Sequence, residues 1–287
     1  FKTYFMKLKL VLFLTASLFI GTLIAQTTGG PDTYGYTWKN QADPTGPVYN
    51  WIDIKGLGTK ITGLGDDNSV GPFNMNWNFR YYWNDYNKAL VGSNGWMSFE
   101  ALGNIASPFP TIPSAAAPNN YIAALLSDLT FTNGSNAPVP NCSGWYWTNN
   151  LDTFIVQYDS VPFWSATGQK YTGSNTFQII LSGVDSSITF QYKAQTGLTN
   201  GTDIKSGIEN LTGAIGLQVL NNTYPTANTA VKFYYPNPVT YQVFDATPAW
   251  NQNTKNGGFF VSSNGKPLNL TTDIANTGNQ PISNIPV

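Results

Sequence analysis

The chain has 287 residues, of which 41% are apolar and 15% aromatic, yet only 10% are charged, with a formal net charge of −1. The apolar share is ample for a core and excludes intrinsic disorder, while sparse, slightly acidic charge excludes a nucleic-acid partner. Histidine is absent and cysteine occurs once, as Cys142, which removes imidazole triads, histidine metal sites and any intrachain disulfide.

Taken in chain order, Met6 reads as the start, followed by Lys7, Lys9 and the apolar or small-residue run Leu10–Ala25. The run is shorter than the roughly 20 residues of a spanning helix and gives way to loop chemistry at Gln26-Thr-Thr-Gly-Gly-Pro. Residues 1–25 are therefore expected to be a signal peptide cut after Ala25. The mature chain is expected to be secreted or held at the cell surface, with no stable membrane insertion after signal removal. Loss of the leader leaves 11 basic against 15 acidic residues.

Residues 26–47 form a lead-in rich in Gly, Pro and Thr, with a strand expected over Tyr34–Lys39. The body, 48–244, shows period-two alternation throughout. Phe73, Met75, Trp77, Phe79 and Tyr81 alternate with Asn74, Asn76, Asn78 and Arg80, which on a strand gives one core-facing row and one wet row. The same pattern recurs at Phe154/Val156/Tyr158, Phe177/Ile179/Leu181, Ile188/Phe190/Tyr192, Ile215/Leu217/Val219 and Val231/Phe233. Turn formers such as Gly92-Ser-Asn-Gly95 and Asn133-Gly134 separate these runs. Many short one-sided strands predict an all-β fold, a two-sheet antiparallel β-sandwich, with Met75, Trp77, Phe79, Phe177, Ile179 and Phe190 in its core. Tyr121–Leu129 is compatible with a buried strand or one short helix. Residues 245–258 read as a linker. Residues 259–287 read as the truncated start of a second β domain, with Leu268, Leu270 and Ile274 partly exposed.

Three groups of residues offer chemistry, each with a plainer alternative. The Asp66-Asp67-Asn68 loop is a candidate calcium site, because that ion takes oxygen ligands from flexible loops; without EF-hand ligand spacing, an ordinary polar turn is the plainer and favoured reading. No other cofactor is expected. Trp145 and Trp147 share a strand face, and Trp164 follows in Val161-Pro-Phe-Trp-Ser; these are candidate ligand-stacking residues or core tryptophans. Glu100 and Glu209 are the only glutamates and Asp128 ends an apolar run, but no spacing brings a catalytic carboxylate pair together. Asp128 and Glu209 are expected to bond to backbone at strand ends. Cys142 has no imidazole to activate it.

Ser93-Asn-Gly-Trp-Met-Ser-Phe99, Ile122–Leu129 with Asp128, Phe154-Ile-Val-Gln-Tyr-Asp-Ser-Val161, Thr176–Leu181, Ile188–Tyr192 and Gly207–Gly213 running into Ile215–Val219 occur in that order. This succession resembles the nidogen-type extracellular domain over about residues 80–235. Tyr34–Tyr36, Trp51–Asp53 and Gly63–Pro72 are similar to the N-termini of large proteins exported by the type IX route. The final strands, with Asn276-Thr-Gly278, resemble the opening of an immunoglobulin-like repeat. The resemblance implies a non-catalytic adhesion or ligand-binding module of a larger surface protein, with a glycan or protein surface as partner. The alternative is an accessory or pro-region of a secreted peptidase or glycosidase whose catalytic domain lies beyond residue 287.

Overall fold

A computed structural model of the chain describes residues 26–100, 103–198, 203–248 and 274–284; the leader, Leu268 and Leu270 lie outside them. Every regular element among the described residues is a strand. Tyr121–Leu126 is among them and resolves the ambiguity there in favour of a buried strand.

One sheet has eight strands. In spatial order they are β1 (Thr28–Gly29), β2 (Thr37–Asn40), β14 (Thr229–Tyr234), β11 (Ser187–Thr196), β10 (Tyr171–Ser182), β9 (Thr153–Trp164), β8 (Ser143–Thr148) and β3 (Thr59–Ile61). The other has six: β13 (Gly216–Asn221), β12 (Lys205–Glu209), β7 (Tyr121–Leu126), β6 (Trp96–Ser98), β5 (Asn84–Gly92) and β4 (Ser69–Tyr81). All pairings are antiparallel. Side chains of both sheets meet in one core, as the alternating runs require. Tyrosines cross the gap as ties: the Tyr158 hydroxyl donates to Trp96 O (2.8 Å), and that of Tyr192 to Ala124 O (2.7 Å). The lead-in joins the larger sheet, because β2 pairs with β14 and Tyr34 and Tyr36 are buried.

Met75, Phe79, Phe177, Ile179 and Phe190 are fully buried, whereas Trp77 stays half-buried. The reason is local. β4 is an edge strand whose register with β5 shifts between Asn74 and Phe79, and Asn76 sits at φ 66°, a left-handed backbone typical of a bulge. Trp77 is thereby turned to the side of the sandwich, against Gly183.

The larger sheet is also covered on its outer face. Gln157, Gln178 and Gln191 lie in register across β9, β10 and β11 and are buried. They hold a strap, residues 49–58, that crosses these strands. The Asn50 N–H donates to Gln191 Oε1 (2.7 Å), and Gln191 Nε2 donates back to Asn50 O (2.7 Å). Gln178 Nε2 donates to Ile52 O and to Gln157 Oε1, which also accepts from the Ile54 N–H (3.3 Å). Alternating sequence alone cannot show this, since glutamine on a wet row and glutamine under a strap look alike. Gln178→Ala should cost about 2 kcal/mol, because the buried Gln157 Oε1 loses one donor and the strap loses its bond at Ile52. Urea unfolding measures this, and a change below about 0.5 kcal/mol would mean that the strap is held by other contacts.

Downstream, Ala246–Pro248 (β15) pairs only with Ile274–Asn276 (β16), a ribbon separate from both large sheets. Part of the expected linker is thus a strand, and Ile274 is 37% exposed.

Candidate functional site

The loops at one end of the sandwich bring together residues that are far apart in sequence. The turn 62–68, between β3 and β4, carries Asp66 and Asp67. The turn between β5 and β6 carries Ser93-Asn94-Gly95, and the chain leaving β7 carries Asp128. Gly95 allows the second turn: its φ is 78°, and a Cβ there would lie 1.9 Å from the carbonyl oxygen of Leu125.

Asn94 is fully buried and is the hub. Its Nδ2 donates to Asp67 Oδ1 (2.8 Å) and Ile105 O (2.8 Å), and its Oδ1 accepts from the Leu129 N–H (2.9 Å). One amide therefore joins three loops. Ser93 completes the frame: its Oγ donates to Asp66 O and accepts from the Asn68 N–H (3.0 Å).

Carboxylate oxygens of Asp66, Asp67 and Asp128 lie within 4.8 Å of one another. Burial, reinforced by Asp67, Asp66 and Asp203, pushes the Asp128 carboxyl up to about 6. Burial and then Asp67 raise Asp66 as well. Like charges held this close destabilise one another, and a hard divalent cation with oxygen ligands would relieve them. Asp66, Asp67 and Asp128 are the residues that could hold it. Asn68, the third member of the expected loop site, is bound within its own turn: Oδ1 accepts from the Gly65 N–H (2.8 Å) and Nδ2 donates to Gly63 O (2.7 Å). Sequence spacing could not find Asp128 as the partner, because its approach depends on the Asn94 bridge between distant loops.

Trp164, at the end of β9, joins the same corner. Its N–H donates to the carbonyl of Asp128 (2.8 Å), and its side chain is 37% exposed. Trp145 and Trp147 are not brought there. They lie on β8 opposite Gln157 and Ile155, about 23 and 30 Å along the sheet from Trp164, and both are half-buried. Trp145 Nε1 donates to Ser143 Oγ (2.9 Å).

The remaining candidates are withdrawn. Cys142 is half-buried, and burial, with a smaller contribution from Asp159, pushes its thiol up to about 12. That is the opposite of an activated nucleophile. Glu209 is fully buried on β12 and its Oε2 accepts from the Ser114 N–H (3.0 Å), the expected backbone bond. Its Oε1 has no hydrogen-bond partner among the described residues, although the Tyr121 hydroxyl lies close enough to influence it. Burial alone raises this carboxyl, to about 8, and no second carboxylate contributes. Asp128, by contrast, bonds to backbone through its own carbonyl and, among the described residues, not through its side chain.

Compared with known proteins, residues 43–248 match a family model described as NIDO related. No curated protein and no solved structure matches the chain.

Proposed function

Because the chain belongs to the nidogen-related family, we propose that it is a non-catalytic extracellular recognition module that meets its partner through the corner built on Asp66, Asp67, Asp128 and Trp164. The protein that carries it is secreted or displayed at a cell surface, with export by the type IX route as the reading of its lead-in, and the partner is a neutral glycan or a protein surface. One observation carries the reading: an exposed tryptophan is fixed through its main chain to a loop whose carboxylate sits among two others. A rigid sandwich with such side chains on its loops suits recognition, since aromatic rings give contact area at low entropic cost. The raised thiol of Cys142 and the lack of a second carboxylate beside Glu209 among the described residues favour binding over turnover. A calcium ion on the three aspartates belongs to the same proposal, as an organiser of the corner.

The test is a binding screen of the purified protein against immobilised neutral glycans and matrix proteins, with calcium or EDTA, beside peptidase and glycosidase assays. Trp164→Ala should weaken binding at least about tenfold, equivalent to about 1.4 kcal/mol. Calcium should raise the melting temperature of the wild type and leave that of Asp128→Asn unchanged. Turnover of a substrate would overturn the non-catalytic reading. Binding indifferent to Trp164→Ala would move the contact away from the corner.

A further inference from the structure

The outer face of the smaller sheet has a cover of its own. Residues 103–119, between β6 and β7, lie over β12 and β13 without pairing as a strand. Pro108, Pro110, Pro113 and Pro118 remove donors that a strand would need. Side chains hold the segment instead. Ile105, Phe109 and Ile112 sink onto Trp96, Tyr121, Ala123 and Leu126, and these form an apolar cluster separate from the main core.

Polar bonds fix the segment at both ends and between them. Asn94 Nδ2 donates to Ile105 O (2.8 Å), and the Asn120 N–H donates to Asn210 O (3.1 Å). In the middle, the Ile112 N–H donates to Gln218 Oε1 (2.9 Å), the Ser114 N–H to Glu209 Oε2 (3.0 Å), and Ser107 Oγ to Asp203 Oδ2. Glu209 is fully buried beneath the segment, and its Oε1 has no hydrogen-bond partner among the described residues.

The groups packed around that carboxyl are neutral. Neither the segment nor β13 carries an ionisable side chain. Tyr121 on β7 and Tyr81 on β4 face Glu209 with phenols, and the Tyr81 hydroxyl donates to Glu209 O (2.8 Å). On the same strand as Glu209, Lys205 gives its Nζ to Asn222 Oδ1, and Asp203, just before that strand, takes the Ser107 hydroxyl. A carboxylate formed in this place would have neutral donors and no water, which is costly. Lifting the segment would hydrate it.

We propose that residues 106–118 are a lid over the apolar outer face of the smaller sheet, and that loss of the Glu209 proton releases it. The lid can open while the sandwich stays folded, because its apolar cluster is separate from the core and few bonds tie it to the sheet. Opening uncovers Trp96, Tyr121 and Leu126. Burial raises the closed carboxyl from 4.5 to about 8, whereas under an open lid it returns to its ordinary value. The lid is therefore held fully below pH 4.5, loosens as pH rises, and loosens no further above about 8.

Amide hydrogen exchange of the purified protein, taken as protection relative to the intrinsic rate at each pH, tests this. Protection of the Ile112 and Ser114 amides should fall by up to about tenfold per pH unit between 4.5 and 8. Amides of β10 should stay at least about tenfold better protected throughout, which separates lid opening from global unfolding. Glu209→Gln should abolish the fall. Ile112→Ala, which removes an apolar anchor, should lower protection of the Ser114 amide at every pH and keep its slope. Circular dichroism melts confirm that each variant is folded. The inference is overturned if the lid amides are as well protected as those of β10, if Glu209→Gln keeps the slope, or if Ile112→Ala leaves protection unchanged.

Discussion

Gly95→Ala should lower the stability of the protein by roughly 4 kcal/mol, among the largest effects open to a single methyl group. The added Cβ would stand 1.9 Å from the Leu125 carbonyl oxygen, and the neighbour is backbone, which cannot rotate aside. Left-handed φ adds about 1 kcal/mol for any residue with a Cβ. Relief requires the β5–β6 turn to move away from β7, and that breaks the bonds Asn94 makes to Asp67, Ile105 and Leu129. Denaturant unfolding should therefore shift far to lower concentration, while Ser93→Ala, which removes a hydroxyl and keeps the backbone, should shift it much less. A loss below about 1 kcal/mol for Gly95→Ala would show that the turn has another available conformation.

Glu209 should make stability fall as pH rises from about 4.5 to 8, and Glu209→Gln should remove this contribution. The carboxyl is raised from its ordinary value of 4.5 to about 8 by burial. Between those values the unfolded chain has lost the proton and the folded protein keeps it. The folded state then binds more protons, so stability declines by at most about 1.4 kcal/mol per pH unit, and is level again above pH 8. The fully stabilised range for this group is below 4.5. Glutamine imitates the protonated acid, retaining an acceptor for the Ser114 N–H. The variant should match the wild type near pH 4.5 and exceed it by up to about 5 kcal/mol at pH 8. Asp128 also titrates near 6, so the difference between variant and wild type is the quantity to follow. Parallel stability curves across this range would show that Glu209 is already ionised in the folded protein.

Strands were legible where alternation was regular, as in Phe177/Ile179/Leu181, because one buried face writes a period of two into the sequence. Trp77 escaped that logic: a bulge at Asn76 shifts it toward the edge of the sandwich while Phe79 and Tyr81 stay in the core, and asparagine gives no warning on a row already full of asparagine. The strap over Gln157, Gln178 and Gln191 was hidden for a related reason, since a polar face can be wet or covered. At the corner, Asp66 and Asp67 were visible as neighbours, and Trp164 as a loop aromatic. What joined them to Asp128 was not visible, because it depends on Asn94, a turn residue by type and a buried hub in fact.

The strap has a further consequence, for the order in which the protein can assemble. Its bonds join residues very distant in the chain: Asn50 to Gln191 across 141 positions, Ile52 to Gln178 across 126 and Ile54 to Gln157 across 103. A chain made from its N-terminus presents residues 49–58 long before β9, β10 and β11 exist. Closing such loops is entropically slow, and nothing rewards it until three strands stand side by side with their glutamines aligned. The segment synthesised among the first is thus among the last to settle. Until it does, the outer face of β9–β11 is an uncovered sheet, and that interval is when a neighbouring chain can pair with or cover it in the strap's place.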